Sequence, residues 1–509
     1  MTADIAMTPE KTRLNDLFVN SDFGESNIAD FWIEENKGNC MYYDNHFYLF
    51  KDNKWHKSDN GYEIYKSVND LHALFKNYYN SKFADLEDKN YTDLKKFLRL
   101  KISSLTKNST IKNIKEIIQM KTSINYDMFD NNLDLLGFEN GVYDLKNNNF
   151  RPMVNTDYIS MSTGWDFIEA DKNDIEDLEL VFEKILPIKE ERDVLLKALS
   201  TCLDGRLQEA WYFLLGSGGN GKDLICTSFM KALLGDDYYI KSSPTLLIAE
   251  KKVGACPELS NLKKKRMNVY SEPAVGYSLR CDILKDLTGC DTLNARDLYS
   301  SKTMIKLHTT NFIMQNKLLS IDMVDDAMLR RMNVIDFPAK FLSSDRYDDH
   351  DDKTNIYLAN PEMKENKYIE SIRPALFHIL MKYYNIYKND GYRIIGVPKT
   401  ILDRSKEYIK NSNQLYNWFD EIYEISDNKE SFIKFSDIKF NFDRSNYFKS
   451  LTKKEQKYYN AKNLLIDLNA IDNIGKAYRN RKKINNKDHR NIFMGFQLRM
   501  DDEDEDNLD

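Results

Sequence analysis

A glycine-rich segment of the chain has the residue types needed to bind phosphate. It fits the pattern G-x-x-x-x-G-K, in which glycines let backbone N–H groups curl around phosphate oxygens and the lysine reaches the β- and γ-phosphates. We predict that this segment binds ATP; the alternative is a glycine-rich loop without a ligand. The predicted phosphate-binding residues are Gly216, Ser217, Gly218, Gly219, Asn220, Gly221, Lys222 and Asp223.

The last residue of this segment departs from the usual pattern. Asp223 stands where serine or threonine normally provides a hydroxyl ligand for Mg²⁺. A carboxylate can ligate Mg²⁺ well, but it also adds negative charge beside a triphosphate. Asp223 is therefore either a substitute metal ligand or a residue that weakens ATP binding, and the sequence leaves both alternatives open.

A second predicted strand ends at an acidic residue. Residues 266–270 form this strand, and Glu272 follows it, 50 residues after Lys222. A carboxylate in this position can orient the attacking water or help to bind Mg²⁺. The alternative is an ordinary acid at a strand end. We predict that Glu272 is the general base and, with Asp223, a metal ligand.

Three polar residues farther along the chain complete the candidate site. We predict a strand over residues 304–310 that ends at Asn311, whose amide would hold the lytic water or sense the γ-phosphate, although asparagine is also common in turns. Arg330 lies 19 residues after Asn311, and Arg331 is the next residue. A guanidinium can stabilise charge on a transferred phosphoryl group, often from a neighbouring subunit. The sequence does not distinguish between the two arginines.

The elements that must position these residues alternate between strand and helix. Residues 211–215 predict a buried strand before the loop, and Ile225, Phe229 and Leu233 recur every four residues on a helix that ends at Gly235. This alternation predicts a parallel sheet covered by helices. Outside it, we predict a hairpin within 41–55, helices within 68–120, 171–208, 369–388 and 399–424, and a strand at 492–496.

Several strings in this order carry a family resemblance. The glycine-rich loop is followed by Ser271-Glu272-Pro273, by Asn-Ala-Arg-Asp-Leu-Tyr at 294–299, by Thr-Thr-Asn at 309–311 and by Arg330-Arg331. This order resembles superfamily 3 helicases of the poxvirus helicase-primase type, which also occur in other large DNA viruses, phages and plasmids. The resemblance covers roughly residues 28–425 and is strongest in the helicase motifs.

The resemblance implies an AAA+ fold, a homo-hexameric ring with ATP and Mg²⁺ at its subunit interfaces, and 3′-to-5′ translocation on single-stranded or forked DNA. Lys222, Glu272 and Asn311 match ATP-site positions of the family, and Arg330 or Arg331 matches its trans-acting arginine. A hairpin that tracks DNA would have its tip near Lys302, with Lys306 close by. The segment before residue 130 is too short for a primase domain, so we expect a separate primase or polymerase partner.

The expected fold class is a multidomain α/β protein. It comprises an AAA+ P-loop ATPase core, an α/β N-terminal domain, a helical segment and a possible C-terminal winged helix. The expected boundaries are 1–135 for the helicase-associated domain, 136–208 for a connecting strand and helical collar, 209–345 for the ATPase core, 346–425 for the helical extension, 426–500 for the winged-helix module and 501–509 for an acidic disordered tail.

Positive charge gathers before the last predicted strand. The basic run between residues 476 and 490 includes Lys482 and Lys483 and suits a wing that contacts the phosphate backbone of DNA; the alternative is a basic surface loop. The segment 501–509 instead carries seven acidic residues. Such a segment is typically solvated, and it could also mimic nucleic acid.

Composition limits the class of protein. Apolar residues make up 42% and charged residues 30% of the 509, and no apolar run is long enough to cross a bilayer. Six scattered cysteines without a Cys-x-x-Cys pair fit a reducing compartment, so we expect an intracellular protein in the host cytoplasm or nucleus. The competing functions are an ATP-regulated DNA-binding ring with little turnover, a DNA-packaging motor and an RNA helicase.

Overall fold

A computed structural model describes most of the chain. The described residues are 9–83, 91–248, 257–272, 277–289, 293–295, 303–317, 319–322, 326–412, 414–428, 430–451 and 453–499. The chain divides into two compact units, Met1–Ile168 and Glu169–Asp509, and each is treated separately below.

In the described residues 9–83 and 91–168, the first unit combines five α-helices with two small antiparallel sheets. Its helices are α1 (Pro9–Val19), α2 (Glu25–Glu35), α3 (Tyr62–Lys82), α4 (Thr92–Ser104) and α5 (Asn108–Thr122). Its strands are β1 (Cys40–Tyr43), β2 (His46–Lys51) and β3 (Lys54–Ser58) in one sheet, and β4 (Leu135–Phe138), β5 (Gly141–Asp144) and β6 (Asn149–Arg151) in the other. The predicted hairpin is therefore confirmed, and α3, α4 and α5 confirm the helices predicted within residues 68–120.

The expected boundary at 135/136 is wrong, because β4–β6 belong to the first unit. Contacts between distant parts of the sequence explain this result. The Trp55 indole donates a hydrogen bond to the carbonyl of Asn155 at 2.9 Å, and Lys54 forms a 2.7 Å ion pair with Glu139. Trp55 also packs edge-on against Phe129, with ring centroids 5.2 Å apart. Aromatic burial thus joins the two sheets into one unit.

The second unit contains a five-stranded parallel sheet. Its strands are β7 (Trp211–Leu215), β8 (Tyr239–Ser242), β9 (Met267–Tyr270), β12 (Thr310–Gln315) and β13 (Met332–Asp336), in the order β13-β7-β12-β9-β8. The residues of β9 and β12 are all buried, as expected for strands covered on both faces. Two helices, α6 (Lys172–Ile185) and α7 (Lys189–Ser200), precede β7. The elements between the strands are α8 (Met230–Tyr238), α9 (Thr245–Ile248), α10 (Pro257–Ser260), α11 (Cys281–Thr288), β10 (Leu293–Ala295), β11 (Thr303–Ile305) and α12 (Asp326–Arg331).

The predicted strand over residues 304–310 is wrong in its bounds. Residues 303–305 form β11, which pairs antiparallel with β10, and a separate core strand begins only at Thr310. The apolar run Phe312-Ile313-Met314 lies between β7 and β9 and forms the centre of that strand. Hydrophobic side chains occur on both sides of residue 309, so the apolar pattern alone merged two strands that the tertiary structure separates.

The expected helical extension packs on the sheet. It contains β14 (Lys340–Leu342), α13 (Ser344–Asp348), β15 (Ile356–Leu358), α14 (Asn366–Ser371), α15 (Arg373–Asn389) and α16 (Lys399–Ser412). On α16, the Ser405 hydroxyl accepts a hydrogen bond from the Val334 N–H at 3.0 Å, and the Tyr408 hydroxyl donates to Gln315 at 3.2 Å. This helix therefore completes the hydrophobic core beside β13.

The last part of the unit has its own hydrophobic core. Its elements are α17 (Gln414–Ile422), β16 (Tyr423–Ile425), β17 (Phe432–Lys434), α18 (Phe435–Arg444), α19 (Asn446–Ser450), α20 (Lys453–Tyr458), α21 (Ala461–Ala470), α22 (Asp472–Ala477), β18 (Tyr478–Ile484), β19 (Lys487–Met494) and β20 (Phe496–Leu498). Helices pack on an antiparallel sheet of order β17-β19-β18. The expected boundary at 425/426 falls too late, because Leu415, Trp418 and Phe419 already belong to this core. Among the described helices, none is both long and apolar enough to cross a membrane.

Candidate nucleotide-binding site

The glycine-rich loop leaves the carboxyl end of β7, which lies between β13 and β12 in the parallel sheet. The register aligns Leu215 with Gln315 on one side and with Asp336 on the other, so three strand ends meet at the loop. The Gly216 N–H donates to the Gln315 carbonyl at 3.2 Å, and the Phe337 N–H donates to the Leu215 carbonyl at 2.8 Å. Open α/β sheets bind ligands at this carboxyl edge. The predicted strand before the loop is confirmed.

Two glycines show why the loop needs residues without side chains. At Gly216, φ is 145° and an added Cβ would lie 2.7 Å from the Phe337 carbonyl oxygen. At Gly221, φ is 91° and a Cβ would lie 2.8 Å from the side chain of Ile185. Other residues would strain the backbone and clash with these neighbours. The loop thus keeps its N–H groups close to the space that a phosphate would fill.

The remaining residues of the loop contact the segment after β13 on one side and are exposed to solvent on the other. Asn220 is buried, and its side-chain nitrogen lies 3.4 Å from the Phe337 carbonyl. The Gly219 carbonyl accepts a hydrogen bond from the Phe341 N–H at 2.8 Å. Ser217, Gly218 and Gly219 are exposed. The segment after β13 therefore fixes the shape of the loop and leaves its outer face open.

Lys222 is a buried cation at the base of the loop. Its side chain is 5% exposed, and its ammonium group donates to the Gly216 carbonyl. Burial lowers the pKa of Lys222, while the carboxylates of Asp223, Glu272 and Asp336 act in the opposite direction. A partly desolvated ammonium group at the base of this loop suits a phosphate oxygen.

Glu272 lies at the same edge of the sheet. Its carboxylate accepts hydrogen bonds from the N–H groups of Asn316 at 3.2 Å and Lys317 at 3.3 Å, just after β12. One strand, β12, separates β9 from β7, so Glu272 and the loop stand about two strand spacings apart, roughly 10 Å. This gap accommodates a phosphate group and a water molecule.

Asp223 begins the helix that follows the loop. Its carboxylate is exposed, and the hydroxyl of Thr227 donates to it at 3.3 Å. Residues Leu224–Phe229 are π-helical, and α8 continues from them. The predicted helix is confirmed, and Gly235, with φ of 66°, interrupts it as expected.

The acidic residues at this edge suit Mg²⁺ with a nucleotide. Within the described ranges, no group of three or more His, Cys, Asp or Glu residues could hold a metal ion by itself. Mg²⁺ usually takes one or two carboxylates and obtains its other ligands from phosphates and water. Two carboxylates, those of Asp223 and Glu272, are consistent in number and chemistry with this requirement, and their role as metal ligands stays a prediction.

Asn311 lies at the opposite edge of the sheet, which corrects its predicted position at a strand end. It is the second residue of β12, pairs with Trp211 at the start of β7, and is 1% exposed. Its side-chain oxygen lies 3.4 Å from the amide nitrogen of Asn268. Four residues along a strand span about 13 Å, so this amide belongs to the core and not to the loop edge.

Two residues at the loop edge were missed by the sequence interpretation. Asn316 follows β12 and contacts Glu272 through its backbone, and Asp336 ends β13 beside the start of the loop. Starting the third core strand at the apolar run 312–314 would have identified Asn316. No comparable signal marks Asp336, because only strand pairing brings it to Lys222.

The two candidate arginines have different environments. The guanidinium of Arg331 donates to the Ala327 carbonyl at 2.9 Å and to the Glu209 carboxylate at 3.0 Å. Arg330 is exposed and lines a cleft of about 410 Å³ with Arg393 and Lys406. Arg331 therefore stabilises the fold locally, while Arg330 is available to an external anion.

The candidate DNA-binding lysines lie in three places. Lys302 lies outside the described residues, between the paired strands β10 and β11. Lys306 is exposed directly after β11. Lys482 and Lys483 are exposed on β18, so the predicted basic surface exists at that position.

Comparison with known proteins agrees with these motifs. Residues 29–189 match the family described as D5 N terminal like. "Putative helicase L207/L206" of Acanthamoeba polyphaga mimivirus is 29% identical over 415 residues, which cover 77% of this chain and 42% of that protein. "Primase D5" of Fowlpox virus is 27% identical over 287 residues, covering 53% of this chain and 35% of that protein. The chain is therefore similar, over part of its length, to helicase and primase D5 proteins of large DNA viruses.

The chain spans less than half the length of these helicase-primase relatives. "Uncoating factor OPG117" of Monkeypox virus is a further relative, 26% identical over 292 residues, with 53% of this chain and 36% of that protein covered. Among solved structures, the apo NrS-1 C-terminal region aligns with 92% of this chain and 98% of its own, at 9% identity and a TM-score of 0.44. That score is too low to identify the fold.

Proposed function

We propose that this chain is the motor of an ATP-dependent DNA helicase that acts in viral DNA replication. The observation that carries the proposal is the meeting of Lys222, Glu272 and the glycine-rich loop at one edge of a parallel sheet. Similarity to viral proteins named putative helicase and primase D5 supports DNA as the substrate. The parallel sheet with its loop supports an AAA+ P-loop core, and the order β17-β19-β18 under packed helices supports a winged helix.

The proposed reaction is attack of water on the γ-phosphate of ATP. Glu272 orients and deprotonates the water as general base, and the backbone N–H groups that it binds keep its carboxylate in position. Lys222 neutralises charge on the β- and γ-phosphates. Asp223 and Glu272 would hold Mg²⁺, which supplies additional charge neutralisation on the phosphates.

The proposed assembly is a homo-hexameric ring with head-to-tail interfaces. Arg330 precedes β13 at the amino edge of the sheet, whereas the loop follows β7 at the carboxyl edge. The five residues of β7 span about 16 Å, which exceeds the reach of an arginine side chain. Arg330 can therefore assist hydrolysis only in a neighbouring copy, and a repeated heterologous contact of this kind closes into a ring.

The proposed DNA contacts are phosphate contacts. Lys302 and Lys306 belong to the segment around the β10–β11 pair and would face DNA in the ring channel, where the family resemblance expects a tracking hairpin. Lys482 and Lys483 would contact DNA from the exposed β18–β19 hairpin. A separate primase or polymerase is the proposed partner.

The test of the motor is steady-state ATP hydrolysis with Mg²⁺, with and without single-stranded DNA. The native chain should turn over ATP faster with DNA, and Lys222→Ala and Glu272→Gln should each lose on the order of 100-fold or more. Lys231→Ala, an exposed lysine on α8, is the matched control and should remain active. Turnover unaffected by Lys222→Ala would refute this site.

The test of the ring uses mixed subunits. Lys222→Ala and Arg330→Ala chains should each be inactive alone, with the arginine contributing about 10³-fold. A mixture should regain activity, because some interfaces then join an intact loop to an intact arginine. Arg331→Ala should instead lower the melting temperature. If Lys222→Ala chains regained activity when mixed with Arg331→Ala chains but not with Arg330→Ala chains, Arg331 and not Arg330 would be the trans-acting arginine.

A second candidate is an ATP-regulated DNA-binding ring with little turnover. The exposed carboxylate of Asp223 beside Lys222 favours it, because this charge opposes a triphosphate when no metal is bound. Asp223→Ser separates the two functions. Loss of activity in this variant would make Asp223 a working metal ligand, whereas activity that appears only in the variant would favour the regulated ring.

A further inference from the structure

The β18–β19 hairpin concentrates positive charge on an exposed ribbon. Six basic residues and one acidic residue lie between Tyr478 and Met494, in a chain with a formal net charge of -7. Its two-residue turn has positive φ at Asn485 (48°) and Asn486 (63°), the geometry that continues the twist of paired strands. Among the described strands, β17 pairs only with residues 492–494, so the outer hairpin is a two-stranded ribbon.

The charges of this ribbon are not balanced within the described part of the chain. Arg481 lies directly opposite Arg490, and like charges in this arrangement destabilise a strand pair. The single acid, Asp488, forms a 2.6 Å ion pair with Arg481 in which both side chains are more than half exposed. Lys483 lies directly opposite Asp488, but the ion pair of that carboxylate is with Arg481, and no other described carboxylate forms an ion pair with Lys482 or Lys483. The ribbon would therefore be stabilised by an additional polyanion.

A polyanion is joined to the same domain. The seven acidic residues of the segment 501–509 follow Arg499, whose N–H and guanidinium donate to the carbonyls of Ile422 and Asp420. Nine residues separate Arg490 from Arg499, so the two lie at most about 31 Å apart. Asp506 and Asp509 lie seven and ten residues after Arg499, so they can reach about 24 Å and 34 Å from it. Ile492, opposite Arg479 on the hairpin, is seven residues before Arg499 and at most about 24 Å from it, so the acidic residues can reach the hairpin.

We propose that residues 501–509 bind across the β18–β19 hairpin when DNA is absent, and that DNA displaces them. The inference rests on the proposed DNA contact of the hairpin and adds its regulation. Both anions would use the same lysines and arginines, so they compete. The attached segment acts at an effective concentration in the millimolar range, and salt screens its exposed contacts. DNA must therefore contact several of these cations at once to displace the segment, and isolated phosphate contacts are too weak to do so.

A zero-length crosslink between carboxylates and lysine amines tests the contact directly in the full chain. At about 50 mM salt, carbodiimide should join residues 501–506 to Lys482 or Lys483, and about 0.5 M salt should suppress the product. Mixing isotope-labelled with unlabelled chains identifies crosslinks within one chain. If Lys482 and Lys483 react readily with an amine reagent but form no crosslink to the segment, the proposal is overturned.

Binding of a short duplex DNA tests the competition. The variant Asp502→Asn, Glu503→Gln, Asp504→Asn and Glu505→Gln should bind about three- to tenfold more tightly than the native chain at about 50 mM salt, and equally at about 0.5 M. The matched control neutralises four other exposed acids: Asp348, Asp349, Asp351 and Asp352.

The control variant, with Asp348, Asp349, Asp351 and Asp352 neutralised, should change DNA affinity less than twofold. An equal gain in both variants would mean a general effect of net charge and would overturn the competition. If no form of the chain binds DNA, the proposed function fails at the hairpin, while the crosslinking result still decides whether residues 501–509 bind there.

Discussion

The loop edge of the sheet and the β18–β19 hairpin both offer cations to phosphate, but in opposite ways. At the loop edge one lysine is 5% exposed, and Gly216 and Gly221 beside it leave no room for an added Cβ. On the hairpin, several lysines and arginines are exposed on a ribbon. A buried, shaped site can discriminate between ligands, whereas an exposed cationic ribbon responds to charge and is weakened by salt.

The largest expected contrast comes from replacing lysine with arginine at both places. Lys222→Arg keeps the charge but places a larger, planar group in a buried space, so ATP hydrolysis should fall by on the order of 100-fold. Lys482→Arg should leave DNA affinity within twofold, because an exposed phosphate contact needs only a cation. Hydrolysis rates and DNA titrations measure the two effects. If arginine replaced lysine at positions 222 and 482 without loss of activity, the two phosphate-binding regions would not differ in how strictly they depend on side-chain shape.

A methyl group tests whether the shape of the loop matters beyond its charge. Gly221→Ala should weaken nucleotide binding by roughly 30-fold, since its Cβ would meet Ile185 and its backbone lies in the left-handed region. Gly218→Ala is the matched control, because an added Cβ there has nothing within 4 Å. Calorimetric titration with a non-hydrolysed ATP analogue compares them. Equal affinities would show that the loop adapts.

Variants of Asn316 and Asn311 test which end of β12 belongs to the loop site. Asn316→Ala should lower kcat by about tenfold without changing nucleotide affinity, if its side chain assists the water that Glu272 orients. Asn311→Ala should mainly lower the melting temperature, because it leaves a buried amide without a partner, at about 1–3 kcal/mol. Kinetics and thermal unfolding separate the two outcomes. Loss of kcat in Asn311→Ala at full stability would contradict the corrected position.

The smallest effect is expected for a single hairpin lysine. Lys483→Ala should weaken DNA binding only about threefold at low salt and should reduce the salt slope of the binding constant by about one. ATP affinity should not change. An unchanged salt slope would mean that Lys483 does not contact phosphate, and a large loss would mean that the hairpin is a shaped site as well.

Much of the loop site was predictable from local sequence. The strand 211–215, the loop, and the helix through Ile225 and Phe229 are consecutive, so their order and spacing already specify the local structure. Glu272 was identified for the same reason, as an acid after a strand. The basic surface of the hairpin was predicted because a run of basic residues precedes an apolar strand.

Other features required contacts between distant residues. Asn311 was assigned to the wrong end of a strand, because an apolar pattern does not indicate where one strand stops and the next begins. Arg330 and Arg331 are adjacent and chemically identical, yet only Arg331 meets Glu209 in the folded chain. The domain containing β17–β19 begins earlier than expected, since burial of Trp418 and Phe419 depends on packing.

The sequence by itself determined the chemistry of this protein: a glycine-rich loop with one lysine, an acid after a strand, paired arginines and a basic run. Those features depend on residue type and short spacing, which local backbone preferences translate directly into structure. Only the tertiary structure decided which groups share an edge of the sheet, because strand order and register bring Asp336 and Asn316 to the loop and carry Asn311 and Arg330 away from it. Such placement arises from long-range pairing, which no local pattern encodes.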